Sequence, residues 1–209
     1  MRRVSSKLPQ LDIARNIGFN IPDSLVTNNV ESFKGFLEKY RKIIFKPLVD
    51  FHYFKSDTED NRVLYSTLID IESFKEFDLI KNAPVFLQEY IPKEFEYRIT
   101  VVGDDVYIVR VLTNSYSSDD WRKHQFSDNV KFEISNNEDF RIHELSIKMV
   151  KSLGISYGTL DIIHAKSGLD YFLEVNPNGQ WYWLENSLGI PVSLSIAKTL
   201  IRIYHTNAS

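Results

Sequence analysis

Glu174 and Asn176 stand two residues apart in the apolar run DYFLEVN (170–176), just ahead of Pro177-Asn178-Gly179. Side chains of a strand alternate between faces, so the carboxylate and the amide share one face. A second run, YGTLDIIHA (157–165), is joined to the first by KSGL (166–169). In an antiparallel hairpin with that four-residue loop, Ala165 pairs with Asp170 and Asp161 falls opposite Glu174. A three-residue loop would instead turn Asp161 to the other face. Two opposed carboxylates repel, so the first register calls for a cation between them. Carboxylate and amide oxygens suit Mg²⁺, or Mn²⁺, rather than zinc. The alternative is a solvent-facing strand side that happens to carry acids.

The basic residues that would complement such a site are spread along the chain. Lys46 sits in the apolar run IIFKPLV. It either snorkels from a strand end or holds a phosphate as a point charge. Arg98 and Arg110 flank Gly103-Asp104-Asp105, a hairpin signal. With a three-residue loop they face each other, and they repel unless an anion lies between. Arg122, in DDWRK, is a third arginine. These arginines and Lys46 together could surround a polyphosphate and a carboxylate, which arginine grips bidentately.

The elements that must position these residues follow from periodicity. Residues 7–18 form a helix whose face runs through Leu8, Leu11, Ala14 and Ile17, or through Leu11, Arg15 and Gly18, with Gly18 as its stop. A short strand SLVT follows. Asn29 caps a helix over 30–41, with Phe33, Phe36, Leu37 and Tyr40 on its apolar face. KIIFKPLV is a buried strand ended by Pro47, and APVFLQEYIP (83–92) a strand broken at Pro92. FEYRITVV and VYIVRVLT form a hairpin, and SYSSDDWRKHQFSDN a polar loop. Ile142, Leu145, Met149 and Leu153 mark a helix over 139–153 that Gly154 stops. IPVSLSIAKTLIRIYH is the last helix. Helices mixed with several hairpins indicate an α+β protein rather than a regular βαβ series.

Composition removes other chemistries. The 209 residues are 43% hydrophobic, enough for a real core, in one large domain or two small lobes. The net charge of −3 argues against a nucleic-acid binder. No cysteine is present, which excludes disulfides, thiolate catalysis and cysteine-bound zinc. Five histidines are scattered without an HExxH pattern, and no Ser-His-Asp signal stands out. No segment has the apolar length of a signal h-region or a membrane span, so a cytoplasmic protein without membrane contact is expected.

Taken in order, the motifs resemble those of ATP-grasp ligases. KLPQLDIARNIGFNIP resembles the family's lysine-led first helix, and IIFKP its phosphate-binding strand. VFLQEYIP resembles the adenine hinge, EYRITVVGDDVYIVRV the acidic-x-Arg hairpin, and LDIIHA…YFLEVNPNGQW the Asp…Glu-x-Asn metal site. DWR and EVNPNGQWYWLE…GIPVSLSIAKTL are most similar to graspetide (microviridin-type) ligases, which close Asp or Glu side chains of ribosomally made peptides onto Ser/Thr or Lys. Ribosomal-protein glutamate ligases are related.

The resemblance implies two α+β lobes, 1–87 and 88–209, with ATP held between antiparallel sheets. It implies Lys7 and Lys46 on the phosphates, and Gln88, Glu89 and Ile91 around the adenine. Glu96 would lie near the ribose, and Asp161, Glu174 and Asn176 on Mg²⁺. Arg98, Arg110 and Arg122 would steady the γ-phosphate or an acyl phosphate. The implied partner is a precursor peptide or another carboxylate substrate, with a separate leader-binding domain or a homo-oligomer as further possibilities.

Two departures qualify this. Relatives carry a domain before the first helix, whereas six residues precede Lys7 here, so a fragment or reduced form is expected. The loop after Lys46, LVDFHYFKSDTEDNRV, has no glycine where relatives have a glycine-rich lid. Either side chains such as Lys55 and Arg62 serve instead, or turnover is impaired. Three activities remain open: peptide crosslinking, addition of an amino acid to a protein or small acid, and nucleotide binding without catalysis. For Trp181 and Trp183, packing beside the site is expected over substrate contact.

Overall fold

The computed structural model describes residues 4, 6–48, 52–53, 62–63, 66–113, 121–124, 128–135 and 140–207. In chain order the elements are α1 (Lys7–Ile17), β1 (Ser24–Thr27), α2 (Val30–Tyr40), β2 (Lys42–Lys46), β3 (His52–Tyr53), β4 (Arg62–Val63), β5 (Thr67–Asp70) and β6 (Val85–Glu89). There follow β7 (Lys93–Val102), β8 (Asp105–Thr113), β9 (Val130–Ile134), α3 (Phe140–Ser152), β10 (Tyr157–Ala165), β11 (Asp170–Asn176), α4 (Tyr182–Leu188) and α5 (Val192–Asn207). Short 3₁₀ turns lie at Phe77–Asn82 and Trp121–His124. No helix among the described residues is long and apolar enough to cross a membrane.

The chain forms two compact units that interleave along the sequence. One comprises Met1–Ile21, Lys93–Thr113 and Val130–Ser209, the other Pro22–Pro92 and Asn114–Asn129. The lobes expected from the sequence, 1–87 and 88–209, were consecutive. The difference arises because α1 docks on β11 rather than staying with the strands that follow it.

In the Pro22–Pro92 unit, an antiparallel sheet runs β1-β6-β2-β5, beside a two-stranded ribbon of β3 and β4. Asn29 caps α2 as expected, its Oδ1 accepting from Ser32 N at 2.9 Å. The helix then buries Phe33 and Leu37 against Ile43, Ile80 and Leu87. Strand β5 and the turn at Phe77–Asn82 escaped the sequence reading. Their short stretches, TLID and FDLIKN, carry no clean period. The glycine-free loop and Lys55 lie outside the described residues, apart from the backbone of the ribbon.

In the other unit, a five-stranded antiparallel sheet runs β11-β10-β7-β8-β9. One face buries Ile99, Leu160 and Ile162. Helix α3 presents Ile142, Leu145, Met149 and Val150 as buried residues, and Gly154 ends it at φ 70°. Helix α1 ends at Gly18, φ 105°, as expected, but its buried face is Gln10, Leu11 and Ala14. Leu8, expected on that face, is 40% exposed.

Candidate functional site

The pairing on which the site depends is present, by a different route from the one expected. At the hairpin tip His164, not Ala165, pairs with Asp170. That one-residue slip is the three-residue-loop register, which carried down the strands would turn Asp161 away from Glu174. A bulge interrupts it: Ile162 pairs with Phe172 and Asp161 with Glu174, so Leu173 is the extra residue. A bulge restores the face of everything beyond it. Thr159 pairs with Asn176, so Asp161, Glu174 and Asn176 occupy adjoining positions on one face.

The chain itself supplies cations to the opposed carboxylates. Asp161, 4% exposed, lies between Glu174 on β11 and Arg98 on β7. The Arg98 guanidinium donates to Asp161 Oδ1 at 2.7 Å. Lys7 Nζ, at the start of α1, stands 3.2 Å from Glu174 Oε2. Two carboxylates and two cations balance, so repulsion alone does not demand a metal. Arg98 is 6% exposed, and its Nε has no hydrogen-bond partner among the described residues. A buried charged donor left over in this way calls for a partner such as a water or an anion, and the same holds for Arg110 Nε. Further along β7, Lys93 and Glu96 form a buried pair at 2.5 Å. Glu96 shares the face of Arg98, pairing with Ile163.

The sequence reading missed Gln10. It is 2% exposed on α1, one turn beyond Lys7. Its Nε2 donates to Val175 O at 2.8 Å, and Val175 N donates to its Oε1 at 2.7 Å. A glutamine on the apolar side of a helix was the available signal, because a buried amide must find partners.

The turn after β11 is set by close contact. Asn178 N donates to Asn176 Oδ1 at 2.9 Å, and Gly179 N to Asn176 O at 3.2 Å. A Cβ on Gly179 would lie 2.3 Å from Thr159 Oγ1 and 2.6 Å from Thr159 Cβ. The Tyr157 hydroxyl donates to Gly179 O. Burial pushes that phenol above its ordinary range, so it keeps its proton and its role as donor. Gly179→Ala is therefore expected to cost about 1–3 kcal/mol in urea denaturation, the usual cost of overpacking. A wild-type midpoint would show that the turn yields freely. Trp181 and Trp183 pack with Val102, Val109, Leu184 and Val192, and Trp183 sets its ring 4.6 Å from Phe132, in keeping with packing rather than substrate contact.

Arg110 corrects the sequence reading. Val102 pairs with Asp105, so the turn holds two residues, and Arg110 pairs with Tyr97 rather than Arg98. It occupies the opposite face, where its guanidinium lies 5.1 Å from the Phe95 ring centroid. The shorter turn, Gly103 at φ 63°, sends it there. Lys46, Gln88, Glu89, Ile91 and Arg122 belong to the other unit. Lys46 is 8% and Ile91 also 8% exposed. Buried Gln88 donates to Ser24 Oγ at 3.0 Å, while its Oε1 has no hydrogen-bond partner among the described residues. The Glu89 carboxylate accepts from Asp23 N at 2.9 Å.

Among the described residues no three His, Cys, Asp or Glu side chains cluster as a metal site. A divalent cation held here would draw on the Asn176 amide besides Asp161 and Glu174. That all-oxygen set fits Mg²⁺, which keeps several waters and shares its shell with phosphates. The donors present therefore fit the group.

Residues 5–201 match the RimK-like ATP-grasp domain. The chain belongs to that family. The RimK-like chain superposes on an ATP-grasp ligase of Chryseobacterium gregarium that is associated with ribosomally made peptides. That ligase was solved with ADP and a leader and core peptide. The TM-score is 0.86 at 31% identity, covering 96% of this chain and 60% of that one. The macrocyclase MdnC of Microcystis aeruginosa, bound to its precursor peptide MdnA, gives 0.81 at 29% identity, covering 96% and 62%. The ATP-grasp ligase PsnB, solved with a minimal precursor, gives 0.76 at 21% identity, covering 95% and 59%, a likeness of fold. The RimK-like chain thus spans about three fifths of each. No curated protein matches it. Its fold is the α+β ATP-grasp fold with two antiparallel sheets.

Proposed function

We propose that this chain carries the catalytic domain of an ATP-dependent ligase that crosslinks side chains of a ribosomally made peptide. The observation carrying the reading is the opposed pair Asp161–Glu174 beside Asn176, braced by Arg98 and Lys7. Support comes from one relative solved with ADP and a leader and core peptide, and from another bound to its precursor peptide. PsnB has also been solved with Mg and ADP.

A carboxylate is a poor acyl donor. In the proposed reaction a substrate carboxylate oxygen attacks the γ-phosphorus of ATP, the bond to ADP breaks, and an acyl phosphate forms. A hydroxyl or amine then attacks the carbonyl, losing its proton as phosphate departs. Mg²⁺ held by Asp161, Glu174 and Asn176, or Mn²⁺ in its place, supplies positive charge beside the phosphates. Lys7 and Arg98 offset charge that develops between two anionic reactants, and the Arg98 Nε faces no competing acceptor. Lys46 and Arg122 take phosphate contacts in the same scheme, and Gln88, Glu89, Ile91 and Glu96 the nucleoside. No enzyme nucleophile is needed, in keeping with a chain without cysteine.

The test incubates the full chain with ATP, Mg²⁺ and a Thr/Ser- and Asp/Glu-rich peptide encoded beside its gene. ADP, phosphate and a peptide lighter by one water per link are expected. A heavier product identifies addition of an amino acid instead. Nucleotide binding without ADP release identifies a non-catalytic subunit.

A further inference from the structure

We infer that Gln10 is a positioning residue for the carboxylate–amide site, holding Glu174 and Asn176 in register from the helix side; the inference rests on the metal reading above. Strand β11 is the edge of its sheet. An edge strand turns alternate N–H and C=O groups outward with no strand to receive them. At Val175 the outward pair is satisfied by a single side chain. The Gln10 amide accepts from Val175 N at 2.7 Å and donates to Val175 O at 2.8 Å, as the peptide of a further strand would. Its remaining N–H reaches Val4 O at 2.5 Å, so the amide is itself held.

The position of this clamp gives it consequence. Val175 is the residue between Glu174 and Asn176, and its backbone angles set how those two side chains diverge. Pairing with β10 resumes at Glu174 directly after the bulge at Leu173, so β10 holds the stretch from one side only. Gln10 holds it from the opposite, edge side. The same helix reaches Glu174 directly: Lys7, one turn earlier, sets its ammonium 3.2 Å from the carboxylate. Helix α1 thus engages the first ligand by charge and the backbone between the two by hydrogen bonds.

A plain structural strut would make the same contacts, so the test separates stability from metal affinity. Gln10→Met keeps the volume and removes both bonds to Val175. Mn²⁺ binding to the full chain in saturating ADP, followed by electron paramagnetic resonance at a temperature where the variant is folded, should weaken about tenfold, as for residues that orient metal ligands. Exchange of the Val175 amide hydrogen should quicken in parallel. Wild-type Mn²⁺ affinity in folded Gln10→Met would overturn the inference. Glu174→Gln is the control: if it too binds Mn²⁺ like wild type, the metal reading fails rather than the role of Gln10. Should Gln10→Met not fold, Gln10→Glu keeps the acceptor for Val175 N and loses the donor to Val175 O. A weakening of several-fold then supports the inference, and unchanged affinity overturns it.

Discussion

Glu174→Gln is expected to lower ADP formation by about 10²–10³-fold while leaving the fold intact. The substitution keeps the shape of the side chain and removes its charge. The Lys7 pair that it weakens is largely buried, at 12% and 17% exposure for the two side chains, but the glutamine carbonyl can still accept from Lys7, so a stability cost of about 1–3 kcal/mol is expected. A coupled ADP assay alongside a thermal melt separates the two effects. Turnover at the wild-type rate would refute the assignment of Glu174 to the metal.

Arg98→Met should be the most destabilising single change in the site. Arg98 and Asp161 are both deeply buried, and their 2.7 Å contact lies in the middle of the sheet. Removing the guanidinium strands a desolvated carboxylate, a change that costs about 3–5 kcal/mol. The double variant Arg98→Met/Asp161→Leu replaces the pair by apolar groups of similar size. It should recover most of that loss, because buried pairs often contribute little net stability over such replacements. It should not recover ADP formation. Urea denaturation of the single and double variants checks this. A loss below about 1 kcal/mol in Arg98→Met would mean that Asp161 is stabilised chiefly by other groups.

The contrast between these residues and Arg110 marks what the sequence could reveal. Period two within a strand is a strict rule, so the shared face of Glu174 and Asn176 was legible at once. Facing across strands depends on loop length, which sequence specifies weakly. The Gly103 turn was counted one residue too long, and Arg110 was placed on the wrong face. The 166–169 loop was also miscounted, yet Asp161 and Glu174 pair because the bulge at Leu173 offsets the error. The cation expected between those carboxylates was inferred from repulsion, but Arg98 and Lys7 already balance them. The metal reading now rests on the donor set, Asp161, Glu174 and Asn176 on one face. Gln10 was half legible: its place on the apolar side of α1 marks a buried amide, but its partner is a backbone position far away in sequence, which no local pattern encodes. The order of the motifs was the more durable signal, since it does not depend on any single register.

The clamp between Gln10 and Val175 spans 165 positions of the chain. Synthesis runs from the N-terminus, so α1 leaves the ribosome long before the strand on which it docks exists. Until then its buried face, Gln10, Leu11 and Ala14, has only α3 to pack against within its own unit, and Gln10 has no Val175 to receive it. An eleven-residue helix is marginal alone in water. The order of assembly therefore runs against the order of translation: the Pro22–Pro92 sheet can form early, whereas the first helix completes its packing only with the last strand. Closing so long a loop late slows folding and exposes that helix to wrong partners in the interval. Nascent chains arrested before residue 170 should accordingly leave α1 open to protease, and chains arrested well past Asn176 should protect it.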